Sequence, residues 1–235
     1  MTVLCIETST SVCSAAICID GKPLKQCICL EGSNHARLLP LYIEELLQLA
    51  KEQHLSIDAV ALSEGPGSYT GLRIGTSTAK GLCYGLNVPL IPVPTLQVLC
   101  AAAKEKGATG LLCPMIDARR MEVYTALYDA DLHPLSEVQA VVVENEDSLL
   151  SFSDSGLSSF NEVVYFGDGA KKCQNVFTKP NWHFLPDIVP ESRHLASILE
   201  SILDNTQRQT VSIAYYEPFY LKEFIAAQSH VKGLK

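Results

Sequence analysis

The chain has 235 residues, 47% hydrophobic and 19% charged, and carries a net charge of −8. That length supports one large domain or two small ones around a sizeable core, and the composition excludes an intrinsically disordered chain. The negative balance argues against a freestanding nucleic-acid binder held by phosphate attraction, and no apolar run reaches membrane-spanning length.

The N-terminus, Met1 to Glu7, has neither a basic leader nor a long apolar core, so no signal peptide is expected. The nine cysteines are odd in number and contain no Cys-x-x-Cys pair; most sit in apolar strand patterns. They read as small hydrophobes in a reducing, cytoplasmic setting, without a disulfide framework, metal site or cofactor. Residues 3–6, 12–19 and 23–30 are expected strands, the last two joined as a hairpin by Asp20-Gly21. A helix is expected over 34–52, with His35, Leu38, Leu39, Tyr42, Ile43, Leu46 and Leu47 at helical period. His35, near its start, reads as a packed or capping-region residue.

Strand 59–63 leads into Ser63-Glu64-Gly65-Pro66-Gly67-Ser68-Tyr69-Thr70-Gly71-Leu72-Arg73-Ile74-Gly75, which opens a helix running to about Leu86. Ser68 is placed as its N-cap. A glycine-rich turn before a helix suits an anion, but it suits close packing equally. A Walker loop needs Gly-Lys-Ser/Thr, and no lysine lies between Lys51 and Lys80. A dinucleotide fold needs a downstream acid, and none occurs from Gly71 through Ala103. Gly71, Gly75 and Ala79 recur at a spacing of four, leaving one helix face without bulk. With its outward apolar neighbours, that face is expected to dock a like helical surface. Strand 89–93 follows, and Ala101 to Gly110 reads as a hinge.

The second half repeats the first. Leu111–Ile116 ends at Asp117 as the first strand ends at Glu7; strands 123–128 and 138–143 and a short helix near 147–151 follow. Strand 163–166 then runs into Gly167-Asp168-Gly169-Ala170, and a helix near 192–204 precedes an extended end from about Tyr215. This ordered duplication predicts an α/β chain of the actin-like ATPase (ASKHA) class, built from two ribonuclease-H-like β-β-β-α-β-α halves. The expected division is 1–100, 111–221 and a flexible tail, 222–235. In that architecture Glu7, Thr8, Ser9, Thr10, Asp117, Gly167, Asp168 and Gly169 would line a cleft. For Glu7 a solvated strand end, and for Gly167-Asp168-Gly169 ordinary turn chemistry, are the alternatives.

Ile6-Glu7-Thr8-Ser9-Thr10, the run Glu64 to Gly75, Gly167-Asp168-Gly169-Ala170, Pro94-Thr95-Leu96 and Pro218-Phe219-Tyr220-Leu221 occur in an order and spacing that resemble the bacterial TsaB (YeaZ) family over essentially the whole chain. These are small paralogues of TsaD in the machinery that makes threonylcarbamoyladenosine at position 37 of tRNA. The resemblance implies a non-catalytic subunit that binds TsaD through its N-terminal half, with TsaE at the subunit junction and tRNA met only through the complex. TsaD carries two metal-holding histidines just after the stretch matching Pro94-Thr95; here that place reads Leu96-Gln97-Val98-Leu99-Cys100. The expected interface comprises Leu38, Tyr42, Leu46, Tyr69, Gly71, Leu72, Arg73, Gly75, Thr78 and Ala79, with a homodimer through the same surface when TsaD is missing. A plain core aromatic is the alternative for Tyr69, and a surface arginine for Arg73. The family is also labelled glycoprotease-like (peptidase M22), but the six histidines show no metalloprotease spacing and no Gly-x-Ser-x-Gly elbow occurs. An autonomous actin-fold ATPase or phosphotransferase is the competing function. A nuclease using Glu7 and Asp117 is weaker, since those acids fall in different halves.

Overall fold

The computed structural model describes residues 1–32, 34–145, 148–149, 162–204 and 211–222. The first sheet contains β1 (Thr2–Glu7), β2 (Cys13–Ile19), β3 (Lys22–Cys29), β4 (Ala59–Gly65) and β5 (Leu90–Pro94), in the order β3-β2-β1-β4-β5. The second contains β6 (Leu111–Asp117), β7 (Glu122–Thr125), β8 (Gln139–Val142), β9 (Val163–Phe166) and β10 (Trp182–Leu185), in the order β10-β9-β6-β7-β8. Read from β8, the second order reproduces the first: β1 pairs antiparallel with β2 and parallel with β4, as β6 does with β7 and β9. The duplication is therefore structural, and the fold is the expected two-sheet, actin-like α/β class. Strand β10 is an addition to the sequence reading. The helix expected near 147–151 lies largely outside the described residues, as does the tail beyond Lys222.

Alternation along β1 divides the core. Val3 and Cys5 face one cluster, shared with the second sheet, while Leu4 and Ile6 face another beneath α1 (His35–Glu52). Leu39, Ile43, Leu46 and Ala50 form the buried stripe of α1. His35 is buried, its Nε2 3.1 Å from the Val12 carbonyl oxygen.

The expected hinge at 101–110 is corrected. Residues 101–105 belong to α3 (Thr95–Glu105), whose Leu96, Val98, Leu99, Cys100, Ala101, Ala102 and Ala103 are all buried. Apolar on nearly every side, α3 is clasped between β4, β6 and α4 (Ser192–Asp204). The strands divide at 1–100 and 111–221, but the packing crosses that line: α4 lies on β1, β2 and β3 of the first sheet. Its start is tied down where Ser192 N–H donates to Ser14 Oγ at 2.9 Å and Arg193 bridges Glu191 and Glu105 at 2.8 and 2.7 Å. His194 Nε2 meets the other Glu105 oxygen at 2.9 Å.

Helix α2 (Tyr69–Leu86) starts where expected, with Ser68 Oγ accepting from Gly71 N–H at 3.3 Å, and ends at Asn87 in the left-handed conformation. Its small-residue face is turned inward. A Cβ on Gly71 would sit 2.1 Å from the Thr8 carbonyl oxygen, and one on Gly75 would sit 2.3 Å from Thr8 Oγ1. In the space the glycines leave, Thr8 Oγ1 donates to Gly71 O at 2.9 Å. Leu46, Gly71, Leu72, Gly75 and Ala79 are therefore buried within the chain, which corrects their reading as a docking face. The close approach inferred from the spacing is real, but its object is β1. Gly71→Ala should cost about 1–3 kcal/mol or more by overpacking. Gly81→Ala, with nothing within 4 Å of the added carbon, should instead gain roughly 0.5–1 kcal/mol of helix propensity. Urea unfolding of the two variants checks the contrast.

Candidate functional site

The end of β1 is the most enclosed polar region of the molecule's first half. Glu7, Thr8 and Ser9 are each 0% exposed. The glycine turn lies directly over them: Ser68 N–H donates to Ser9 O at 2.6 Å, and the Gly67 Cα leaves no room for a Cβ, which would stand 2.2 Å from the same oxygen. The Gly65–Pro66 peptide is cis, and Gly65 N–H is received by Thr95 Oγ1 at 3.1 Å. The turn thus packs directly on the Ser9 carbonyl and covers Thr8 and Ser9.

Glu7 is a buried carboxyl without a cationic partner among the described residues. Its Oε1 accepts from Ser9 N–H and Ser9 Oγ at 2.6 and 2.5 Å. Oε2 has no hydrogen bond of normal geometry, and the neighbouring Ser63 hydroxyl is engaged with Thr95 Oγ1 at 2.7 Å. Desolvation raises the Glu7 carboxyl above its ordinary range; the hydroxyls of Ser63 and Ser9 and the N–H groups of Ser9 and Thr8 oppose this without cancelling it. Ser63 and Thr95, which complete this buried group, carry no signal of their own in the sequence beyond flanking the glycine run and Pro94.

Asp117, Gly167, Asp168 and Gly169 form a separate group at the end of β6. Asp168 Oδ1 accepts from Asp117 N–H at 2.9 Å, Asp117 Oδ1 accepts from Arg119 N–H at 3.1 Å, and Gly169 N–H donates to Met115 O at 3.0 Å. Lys172 pairs with Asp117 and donates to Glu122 O at 2.6 Å. Desolvation against the β6 end raises the Asp168 carboxyl, with the Asp117 N–H and Lys172 pulling it back. Among the described residues no hydrogen bond or ion pair joins this group to Glu7, Thr8 and Ser9. The Glu7 group is buried, whereas Asp117 and Asp168 stay exposed on their turn.

Residues 211–222, read in sequence only as an extended end, form a strap across both halves. Lys80 Nζ donates to Ala214 O and Tyr216 O at 3.1 and 3.2 Å, and Tyr216 is buried in the core beneath α1. Phe219 N–H donates to Glu64 O at 2.8 Å, the Tyr220 ring lies 5.1 Å from that of Tyr69, and Lys222 pairs with Glu122 of the second half at 2.5 Å. Arg73 stacks on Tyr69 at 5.1 Å and donates to its hydroxyl at 3.0 Å.

Beside this strap, the outward side of α2 presents Thr70, Arg73, Ser77, Gly81 and Tyr84, the last 87% exposed. Helix α1 packs alongside, with Leu41 exposed and Leu38 and Tyr42 half-buried; Thr78 and Tyr69 of α2 are also half-buried. Leu38, Tyr42, Tyr69, Arg73 and Thr78 are thus the members of the expected interface that reach the surface. Tyr84 and Leu41 were not singled out by sequence, because an apolar residue outside the buried stripe has no periodic signature. Among the described residues no cluster of three His, Cys, Asp or Glu side chains is arranged to hold a metal, and no helix is long and apolar enough to cross a membrane.

Glu7→Gln keeps the Oε1 acceptor and removes the ionisation. A carboxyl raised on folding contributes stability that is fully present below its unfolded value, about 4.5, and is lost as pH rises through the folded value. The wild type should therefore lose stability relative to Glu7→Gln as pH rises from about 4 to 8, with the two within about 1 kcal/mol near pH 4. Urea unfolding across that range tests this; a gap that stays flat contradicts it.

The model of the family described as TsaD, tRNA N6-adenosine threonylcarbamoyltransferase, matches residues 30–230. The chain is 30% identical to the tRNA threonylcarbamoyladenosine biosynthesis protein TsaB of Escherichia coli, over 96% of each chain. It is 36% identical to that of Haemophilus influenzae, over 94% of each. A crystal structure from Pseudomonas aeruginosa, of a protein described as similar to peptidase YeaZ, superposes with a TM-score of 0.78 at 23% identity, covering 94% of this chain and 99% of that one. The chain belongs to the TsaB (YeaZ) family, within the wider family that the TsaD model describes.

Proposed function

We propose that this chain is a non-catalytic scaffold and activating subunit in the synthesis of tRNA N6-threonylcarbamoyladenosine, binding a TsaD-type catalytic subunit, with TsaE at the junction and tRNA met only through the complex. The observation that carries this reading is the filled end of β1. The loop Thr8-Ser9, which an actin-like ATPase would turn toward phosphates, is covered by the chain's own glycine turn and has no exposed surface. The place after Pro94-Thr95 supports it too, since α3 fills it with buried apolar residues. What the chain does offer is the outer side of α1 and α2: Leu38, Leu41, Tyr42, Tyr69, Arg73, Thr78 and Tyr84. Aromatic and arginine side chains are the groups that most often dominate protein interfaces. The same surface serves a homodimer when the catalytic partner is missing.

The test is reconstitution. The chain alone is inactive, and it restores modification when added to TsaD, TsaE, the adenylate-forming enzyme and tRNA. Arg73→Glu combined with Tyr84→Ala should leave the melting transition within a few degrees and weaken TsaD binding at least 100-fold, the loss of one or two interface hot spots. Full modification without the chain overturns the scaffold role; undiminished binding by the double variant overturns the surface.

A further inference from the structure

The nine cysteines are all free thiols, and their placement is uneven. Cys13, Cys27 and Cys29 share the face of the β2–β3 hairpin that carries Ala15 and Ile17 into the core beneath α1. Tyr42 of α1 lies over them; burial and then the nearby Cys29, Cys13 and Cys27 raise its hydroxyl. Cys13 and Cys29 are direct partners in the antiparallel ladder, in its regular part, since the register shift falls between Ile17 and Cys18. Direct partners point to the same face, with Cα atoms about 4.5 to 5.5 Å apart whichever pair type they form. That separation lies inside the window of roughly 4.4–6.8 Å that a disulfide needs.

The other neighbouring thiols lack either the geometry or the access. Cys27 and Cys29 are two residues apart on one strand, about 6.6 Å and at the edge of the window. Cys5 and Cys18 are diagonal partners across β1 and β2 with their thiols in hydrogen-bond contact, but at 0% and 1% exposure neither can meet a small disulfide. Cys83, Cys100, Cys113 and Cys173 are buried. Cys29 alone is partly exposed, its Sγ donating to Glu31 O at 3.3 Å, and Cys13 stands behind it at 2% exposure.

We propose that Cys13 and Cys29 are a redox-modifiable pair, which a small disulfide such as oxidised glutathione converts to a cross-strand disulfide under α1. The Cys29 thiolate attacks one sulfur of the small disulfide and releases one glutathione thiolate. Cys13 then loses its proton to water, and its thiolate attacks the Cys29 sulfur of the mixed disulfide, releasing the second glutathione. Two protein thiols are oxidised, and one small disulfide is reduced to two small thiols. The order follows from access and from charge. Burial, then the neighbouring Cys29 and Glu7, push the Cys13 thiol up to about 11, so Cys29 reacts first and Cys13 closes the bond slowly. The product clips the edge strand β3 to β2 across a short loop, behind the outer surface of α1.

The full chain, reduced and then incubated with oxidised glutathione, is blocked with N-ethylmaleimide, digested and analysed by mass spectrometry. The expected result is a linked Cys13–Cys29 peptide, two fewer alkylatable thiols on denaturation, and full reversal by dithiothreitol. The link persists in Cys27→Ser and is abolished in Cys29→Ser, a near-isosteric change at a partly exposed position. The oxidised wild type should also melt roughly 5 °C or more above the reduced form, a rise absent from Cys29→Ser. Nine thiols still alkylatable after oxidation, or glutathione retained on Cys29 with no link, overturns the proposal.

Discussion

The approach of α2 to the end of β1 is the contact on which the rest of the molecule depends. A helix axis normally stands a side chain's width from its neighbour. Here two glycines remove that spacer, so the Thr8 backbone and hydroxyl reach the helix itself. Because the helix is held so close, the turn before it must fold down over Ser9, and the polar end of β1 loses its contact with water. Beside that contact Glu7 is buried with its carboxyl raised, and Thr8 and Ser9 have no exposed surface.

Among the described residues, no hydrogen bond or ion pair joins the two polar groups expected to line one cleft, and they are satisfied differently. Glu7 is enclosed by Ser9, Ser63 and Thr95, while Asp117 and Asp168 are satisfied by their own turn and by Lys172. The strap of residues 211–222 runs across both halves: it anchors on Lys80 and Glu64, brings Tyr220 to Tyr69, and reaches Glu122 in the other half. Helix α2 is thus packed on β1 along its inner side and met by the strap at its start.

Sequence reading succeeded where local physical chemistry and pattern agree. The stripe of α1 and the Ser68 cap each have a period or a cap that tertiary context only had to accept. The duplicated strand order followed from two acids and two glycine turns at matching places. Helix α3 escaped because it is apolar on nearly all sides, so it shows no amphipathic period and its alanine-rich end resembles a linker. Strand β10, Trp182 to Leu185, escaped because it lacks what marked the equally short β9: a run of β-branched and aromatic residues leading into a glycine turn. The site was read less well than the fold. A spacing of small residues states that something approaches closely but not from which side, and the direction was assigned outward when it is inward. The burial of Glu7 had no local mark at all, since it is produced by a turn some sixty residues away.

With the end of β1 closed, this chain is expected to offer no nucleotide site there. Isothermal titration of the purified chain with Mg-ATP tests this most directly. No binding heat above dilution is expected at millimolar nucleotide; saturable binding in the micromolar range, lost on Glu7→Gln, would contradict the closed site.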